Sequence, residues 1–474
     1  MLRDEQWPVA RLIPISSASG IEAQERRLAS ALLAVMQAVP EFGRSLLRPL
    51  GAPGNRFECF IEVPFRFGDR TVRPDGVVTA TRGTKTWSAL VEIKTAANPL
   101  EPAQMNLYLD LARELEFDAV LSISNQYVTA ATEYPIEIDK RKLRRVALHH
   151  WSWVDVLTEA IVQAEHRGVS DPDQAYILGE LIRYMRDPRS GAVTFEGMGS
   201  SWTAVRDAAR EGTLRKSDPA AASVAARWDD LIRYLALSLT ADLGTEVRQT
   251  LPKQERQPAA RRQALIDALA SRSQLYADLM IPDVAGPLSL VADVRARQVT
   301  ASTILEAPRD GTAKGRVSWL LRQLQKAPDG LVVEAHVSRS NATLAEPLRR
   351  VREDPTVLYP EKGKELRSFR LSLGGNMGQK RDNSKGSFVE SVTSMTERFY
   401  ADVLQNLRAW KASPPKLRRT GDVEGAAEVV AELVGVDTDA VAEEALPGSE
   451  APAGVSEVST ESEPPATSTE ANDD

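Results

Sequence analysis

The spacing of apolar residues divides the chain into helical and extended stretches. From Ile21 to Val39, IEAQERRLASALLAVMQAV sets Leu28, Leu32, Val35 and Met36 on one helical face. Ser19 is the expected N-cap, and Pro40 and Gly43 end the helix. FECFIEVPFRF (57–67) reads as a strand, GDRTVRPDGVVTATRG (68–83) as strand and turn, and KTWSALVEIKT (85–95) as a further strand. A helix follows over 102–116. MNLYLDLA within it alternates like a strand, but its Ala, Leu, Glu and Arg neighbours favour a helix. FDAVLSISNQYV (117–128) is again extended. The order α-β-β-β-α-β is a mixed α/β layer pattern.

Beyond it, DKRKLRRVALHHWSW (139–153) leads into a helix, VDVLTEAIVQAEH, and 172–187 is helical as well. PRSGAVTFEGMGSSW (188–202) reads as a loop, and 154–221 as a helical connector after a first domain at 1–153. A second α/β domain is expected over 222–412. It has a long helix, SVAARWDDLIRYLALSLTADL, then extended QLYADLMIPD and PLSLVADVRARQVTASTIL. GRVSWLLRQLQ is helical, LVVEAHVSRS and SFRLSLGG are strands, and FVESVTSMTERFYADVLQNLRAW (388–410) is the last helix. The tail at 413–474 is rich in Pro, Ala, Glu, Ser and Thr and nearly free of aromatics. It buries too little apolar surface to offset ordering entropy, so it is expected to be disordered, with a transient helix at 424–436.

Charge changes this picture in one respect. The formal net charge is −7, but residues 421–474 hold fifteen acidic groups and no basic ones. Without them the body stands at +8, a balance compatible with nucleic acid as partner. Arginine supplies 45 of the 59 basic residues, which points to a GC-rich bacterial genome. The single cysteine, Cys59, excludes an intrachain disulfide and a cysteine-rich zinc site. No apolar run reaches membrane-spanning length and the first residues lack the apolar core of a signal peptide, so a cytoplasmic protein without membrane contact is expected.

The candidate chemistry lies between residues 74 and 108. Side chains alternate along a strand, so in WSALVEIK Trp87, Ala89, Val91 and Ile93 face one way, and Ser88, Leu90, Glu92 and Lys94 the other. Asp75 stands seventeen residues before Glu92, with a hairpin implied around TRGTK (81–85). If the two strands are neighbours, Asp75 and Glu92 meet. Mg²⁺ takes hard oxygen ligands, usually one or two carboxylates plus water and substrate phosphate. Asp75, Glu92 and the Ile93 carbonyl fit that need, and Lys94 is placed to steady developing negative charge. Each piece alone has a plain reading. R-P-D-G is a turn signal, E-x-K is often a surface ion pair, and Glu25 competes with Glu22 as the helix carboxylate.

Taken together, these residues resemble the PD-(D/E)XK nuclease superfamily. Pro74-Asp75 matches its first motif and Glu92-Ile93-Lys94 its E-x-K. Gln104 and Tyr108 look like the Q-x-x-x-Y of its RecB-like branch, and Glu25 stands where many members carry an extra acidic residue. The resemblance covers residues 20–150 and implies a restriction-endonuclease-like mixed sheet flanked by helices. It further implies a Mg²⁺-dependent nuclease, with Mn²⁺ as a possible substitute and DNA favoured over RNA as its substrate. In that reading Asp75 and Glu92 hold metal, Lys94 assists hydrolysis, and Gln104 and Tyr108 contact the nucleic acid. Repair, or defence against foreign DNA, is the role such a fold suggests. The alternative is a catalytically silent nuclease-like module that binds nucleic acid or protein under control of the C-terminal domain. Residues 222–412 are then the surface for a protein partner.

The remaining features add less. His149 and His150 point to opposite strand faces and so form no metal pair; HHWSW reads as packing and helix-capping material. His166 and His336 are isolated. KRKLRR (140–145) is either a phosphate-contacting run or a solvated basic face. GGNMGQKRDNSKGS (374–387) lacks P-loop spacing; it reads as a flexible basic loop, or as a helix start that holds an anion beside Lys380, Arg381 and Lys385.

Overall fold

The computed structural model describes residues 7–13, 20–54, 56–95, 98–128, 134–192, 195–340 and 343–411. Ser19 and the tail from 413, with its segment 424–436, lie outside the described residues. Helix α1 (Gly20–Ala38) buries Leu28, Leu32, Val35 and Met36, as its periodicity predicts. Pro40 has no N–H to continue α1, and its fixed φ suits the first turn of α2 (Pro40–Leu47). The stretch 57–67 is two strands rather than one, β1 (Arg56–Ile61) and β2 (Phe65–Phe67). Glu62, at φ +48, breaks it, and its N–H donates to the Asp75 carbonyl at 3.2 Å. Strand β2 pairs with β3 (Arg70–Val72) in a small separate hairpin.

Strands β4 (Gly76–Arg82) and β5 (Lys85–Ile93) form the hairpin implied around TRGTK, turning at Gly83 with φ +61. Helix α3 (Pro102–Glu114) buries Met105, Tyr108, Leu109 and Ala112, a helical rather than alternating set. It carries the chain over to β6 (Ala119–Ser124), which runs parallel to β5. A further strand, β7 (Ala147–Ser152), missing from the α-β-β-β-α-β order, pairs parallel to β6. The sheet order is β1-β4-β5-β6-β7. Alternation along β5 separates its two faces. Trp87, Ala89, Val91 and Ile93 pack with α1, α4 (Trp153–Ile161) and α5 (Pro172–Arg186). Leu90 packs with Met105, Tyr108 and Leu109 of α3. The first half is therefore a mixed sheet flanked by helices.

The second half begins with α6 (Trp202–Glu211) and the long α7 (Pro219–Leu243). Then come β8 (Arg248–Thr250), α8 (Pro258–Arg272), β9 (Gln274–Met280), β10 (Leu288–Asp293), β11 (Gln298–Glu306) and α9 (Ala313–Gln323). The chain continues with β12 (Val332–Val337), β13 (Thr343–Pro347), α10 (Leu348–Glu353), β14 (Leu366–Asn376) and α11 (Phe388–Asp402). The seven strands order as β13-β12-β14-β11-β10-β9-β8 and are antiparallel throughout. Helix α11 stops eight residues before the expected Trp410, and one 3-10 turn, Leu404–Asn406, follows. The stretch 374–387, expected as a flexible loop, is tied down. Met198 N–H donates to the Arg381 carbonyl and Phe388 N–H to that of Lys380, each at 3.0 Å. Both sheets belong to one compact unit ending at Lys411.

A buried ionic network fixes α7 and α8 against the second sheet. Arg261 Nη2 donates to Asp229 Oδ1 at 3.1 Å and to the Tyr276 carbonyl at 2.7 Å, and Nη1 to Glu255 Oε2 at 2.8 Å. Its side chain is 4% exposed. Cutting one member of such a network leaves the others charged, buried and unpaired. Arg261→Ala should lower the unfolding free energy by about 3–5 kcal/mol, measured by urea denaturation. A loss under about 1 kcal/mol, the range of an exposed pair, would show that the guanidinium does not tie these elements together.

Candidate active site

The β4–β5 register pairs Gly76 with Val91, so Asp75 and Glu92 stand opposite each other where the hairpin opens. Asp75 Oδ2 accepts the Ile93 N–H at 2.7 Å, a bond that pins the aspartate to the neighbouring strand. Lys94 N–H bonds the Ile123 carbonyl on β6 at 2.8 Å. Neighbouring residues of a strand turn their peptide groups to opposite edges, so the Ile93 carbonyl faces the Asp75 side. Glu92 is 1% exposed, and the Tyr108 hydroxyl is one of the groups that reach its carboxylate. Its close contact is Lys94 Nζ, at 2.7 Å.

The other sequence candidates gather around this pair at different distances. On α3, Gln104 Nε2 donates to the Tyr108 hydroxyl at 3.1 Å, and that hydroxyl reaches the Arg73 carbonyl at 3.4 Å and the field of Glu92. On α1, Glu25 is buried, whereas Glu22 is exposed and paired with Arg26. Glu25 Oε1 accepts both the Thr95 N–H at 3.1 Å and Asn98 Nδ2 at 2.8 Å. That oxygen is occupied, so Glu25 anchors the segment after β5 and acts on the centre through its charge.

The electrostatics follow from crowding. Burial, then the facing Glu92 carboxylate, push the Asp75 carboxyl well above its ordinary range, with Ile93 N–H and Lys94 opposing. Burial also raises Glu92, against the pull of Lys94. For Lys94, burial works to lower the pKa, but Glu92 and Asp75 outweigh it and hold the ammonium above its usual value. Burial and then Glu92 raise the Tyr108 phenol, so it remains a neutral donor. Three carboxyl groups share the one ammonium, Lys94, so a further cation beside Asp75 and Glu92 would be balanced by charge already in place. Among the described residues no three His, Cys, Asp or Glu side chains stand ready to hold a metal. Asp75 and Glu92 make two, the number Mg²⁺ commonly uses while keeping water in its shell.

The structure adds supporting residues to which sequence reasoning gave no place at the site. Trp153 Nε1 donates to the Lys94 carbonyl at 2.9 Å, and Ser152 caps α4 by accepting the Asp155 N–H at 3.1 Å. HHWSW is thus packing and capping material, with one member gripping the site. On the Glu92 face, β5, β6 and β7 align Glu92, Ser122 and His150 in one row. His150 Nε2 lies 2.9 Å from the Gln126 carbonyl and must donate, so Nδ1 accepts from Ser122 Oγ at 2.9 Å. Gly191 marks another close approach. Its φ is +84, and a Cβ there would come within 2.7 Å of Thr95 Cβ.

The other anionic or basic candidates stand apart. Ser387 Oγ accepts the Glu390 N–H and Glu390 Oε2 the Gly386 N–H, so the start of α11 is capped by its own side chains. In KRKLRR, Lys142 pairs with Asp110 and Arg141 with Asp139. No described helix is long and apolar enough to cross a membrane. Compared with family models, curated proteins and solved structures, the chain matches none.

A carboxyl raised on folding binds its proton more readily in the native state. Stability is then full below the unfolded pKa and falls as pH rises through the folded one. In EDTA, Asp75→Asn should be more stable than wild type at neutral pH by ~0.5–2 kcal/mol, the gap closing towards pH ~4. Melting curves across this range check it, and a variant less stable at neutral pH counts against buried repulsion. Trp153→Phe should cost about 1–3 kcal/mol, because the buried Lys94 carbonyl loses its donor. The same melts read this, and an unchanged midpoint removes Trp153 from the support of the site.

Proposed function

We propose that the first half of the chain is a metal-dependent nuclease of the PD-(D/E)XK kind, hydrolysing phosphodiester bonds, in DNA before RNA. The observation that carries this is the buried meeting of Asp75, Glu92 and Lys94 across one hairpin, with the Glu92 carboxylate 1% exposed and Lys94 Nζ 2.7 Å from its Oε1. An arrangement that crowds like charges in a low-dielectric spot is costly as scaffold and useful as chemistry. The helix-flanked mixed sheet is compatible with a restriction-endonuclease-like fold.

In this reading Asp75 and Glu92 hold Mg²⁺, or Mn²⁺ in its place, with the Ile93 carbonyl on the same edge. Bound there, the ion supplies a water of lowered pKa and neutralises charge on the attacked phosphate. Lys94 remains an ammonium and faces the charge that develops as the bond breaks. Tyr108, oriented by Gln104, keeps its proton and can donate to a phosphate oxygen. Glu25 and Trp153 hold the peptide that joins Lys94 to Thr95, one at its N–H and the other at its carbonyl. Residues 222–412 would choose the substrate or the partner protein.

The test incubates wild type, Lys94→Ala and Asp75→Asn with single- and double-stranded DNA and RNA, under Mg²⁺, Mn²⁺ or EDTA. Cleavage should require the metal and fall by about 100-fold or more in each variant. Cleavage that survives both substitutions would sink the assignment. Binding without cleavage in any condition would favour the silent module instead.

A further inference from the structure

A cavity of about 420 Å³ opens beside the end of α9, among residues of the second half. One wall is a single helical face carried past the helix end, since Trp319, Arg322, Gln323 and Lys326 recur at spacings of three, four and seven. Arg408, just after the 3-10 turn, closes the other side. No lining residue is acidic. None of the three cations has an ion-pair partner among the described residues.

Basic residues at a helix C-terminus often serve only to answer the terminal carbonyls. Here Arg352 answers the C-cap carbonyl of α9 and two carbonyls of the turn that follows it. Arg352 Nη2 donates to the carbonyls of Leu324 at 2.6 Å, Ala327 at 2.9 Å and Gln325 at 3.3 Å. Arg322 and Lys326 are left over. A second observation points the same way. Gln323 Oε1 accepts the Arg408 N–H at 2.6 Å, and a backbone donor needs an oxygen, so the amide orientation is fixed. Its Nε2 is then a buried donor with no acceptor in the protein. Trp319 is only partly buried against the second core and offers an indole to the cavity.

We propose that this cavity binds a nucleotide, either free or at the end of a strand. Arg322 and Lys326 take the phosphate, where charge-assisted bonds are strongest, and Arg408, whose Nη1 donates to the Gln405 and Leu407 carbonyls at 2.9 and 3.0 Å, adds its charge. The base stacks on Trp319. The volume falls in the usual range for small-ligand sites, roughly 300–1,000 Å³. The proposal stands on these residues alone and does not depend on the nuclease reading.

The test measures binding to the full chain in EDTA, by calorimetry, for deoxyadenosine monophosphate, deoxyadenosine, inorganic phosphate and a short single-stranded oligonucleotide with or without a 5′-phosphate. The monophosphate should bind about tenfold or more tighter than phosphate or nucleoside alone. Arg322→Gln with Lys326→Gln should weaken it by a similar factor, as should Trp319→Leu. Asp75→Asn should leave it unchanged, which separates this site from the other centre. If only the 5′-phosphorylated strand binds, with the same sensitivity to the double variant, the ligand is a strand end. Melting curves establish that each variant is folded. The proposal is overturned if no probe binds at millimolar concentration. It is equally overturned if phosphate binds as well as the monophosphate, or if the folded double variant binds as wild type does.

Discussion

The Glu92 carboxylate lies at 1% exposure, and its surroundings are arranged around that fact. Taking a charge out of water is expensive unless something nearby answers it. Lys94 answers part of the charge from two residues away, which is possible because a strand returns every second side chain to the same face. Asp75, directly across the hairpin, adds to the problem instead of relieving it. Its position is imposed by the Ile93 N–H, a bond that draws a second carboxylate towards the first. A scaffold with no further purpose would gain by placing apolar residues here. The hairpin register, the grip of Trp153 and the buried Glu25 all work to keep the crowding in place.

That grip runs on into the second half of the molecule. Trp153 opens α4, whose N-cap is Ser152 and whose third residue, Asp155, returns a bond to the Ser152 N–H at 2.9 Å. The other oxygen of Asp155 accepts Arg233 Nη2, from α7, at 2.7 Å. Thr158 Oγ1 donates to the Leu237 carbonyl further along the same pair of helices. A continuous set of bonded groups thus links the Lys94 backbone to the long helix that lines the seven-stranded sheet. The two halves meet through the capping of one helix, so the posture of α7 and the alignment of Lys94 share a physical connection.

Much of the first sheet was legible because its signals are local. Alternation in WSALVEIK sorted Glu92 and Lys94 from the apolar residues, and the turn at Gly83 set the register that brings Asp75 across from Glu92. Periodicity found α1 and α3. The sequence could not show what depends on distant partners. Strand β7 is short and carries two histidines and a tryptophan, and only pairing with β6 makes it a strand. The break at Glu62 comes from a bond to a carbonyl thirteen residues on. Trp153 reads as core until its indole N–H is seen to end on Lys94. In the second half the strands were visible one by one, but nothing in an extended stretch tells which neighbour it will take. The antiparallel order was therefore hidden. The cavity beside α9 did leave a trace, the run of Trp319, Arg322, Gln323 and Lys326, but its meaning rests on Arg352 having taken the helix-end carbonyls.

Strand β14 is the last of its sheet in the chain and lies between β11 and β12. Synthesis runs from the N-terminus, so β8 to β13 all leave the ribosome before the strand that joins them. Until residue 376 has emerged, β11 and β12 each show a bare edge, and neighbouring nascent chains offer the same edges for pairing. The hairpin of β9 and β10 is local and can form early, whereas closure of the sheet waits for a distant segment. The price of a central late strand is a window of vulnerability during translation, and its length is set by how quickly the chain from Glu306, the end of β11, to Asn376, the end of β14, is made.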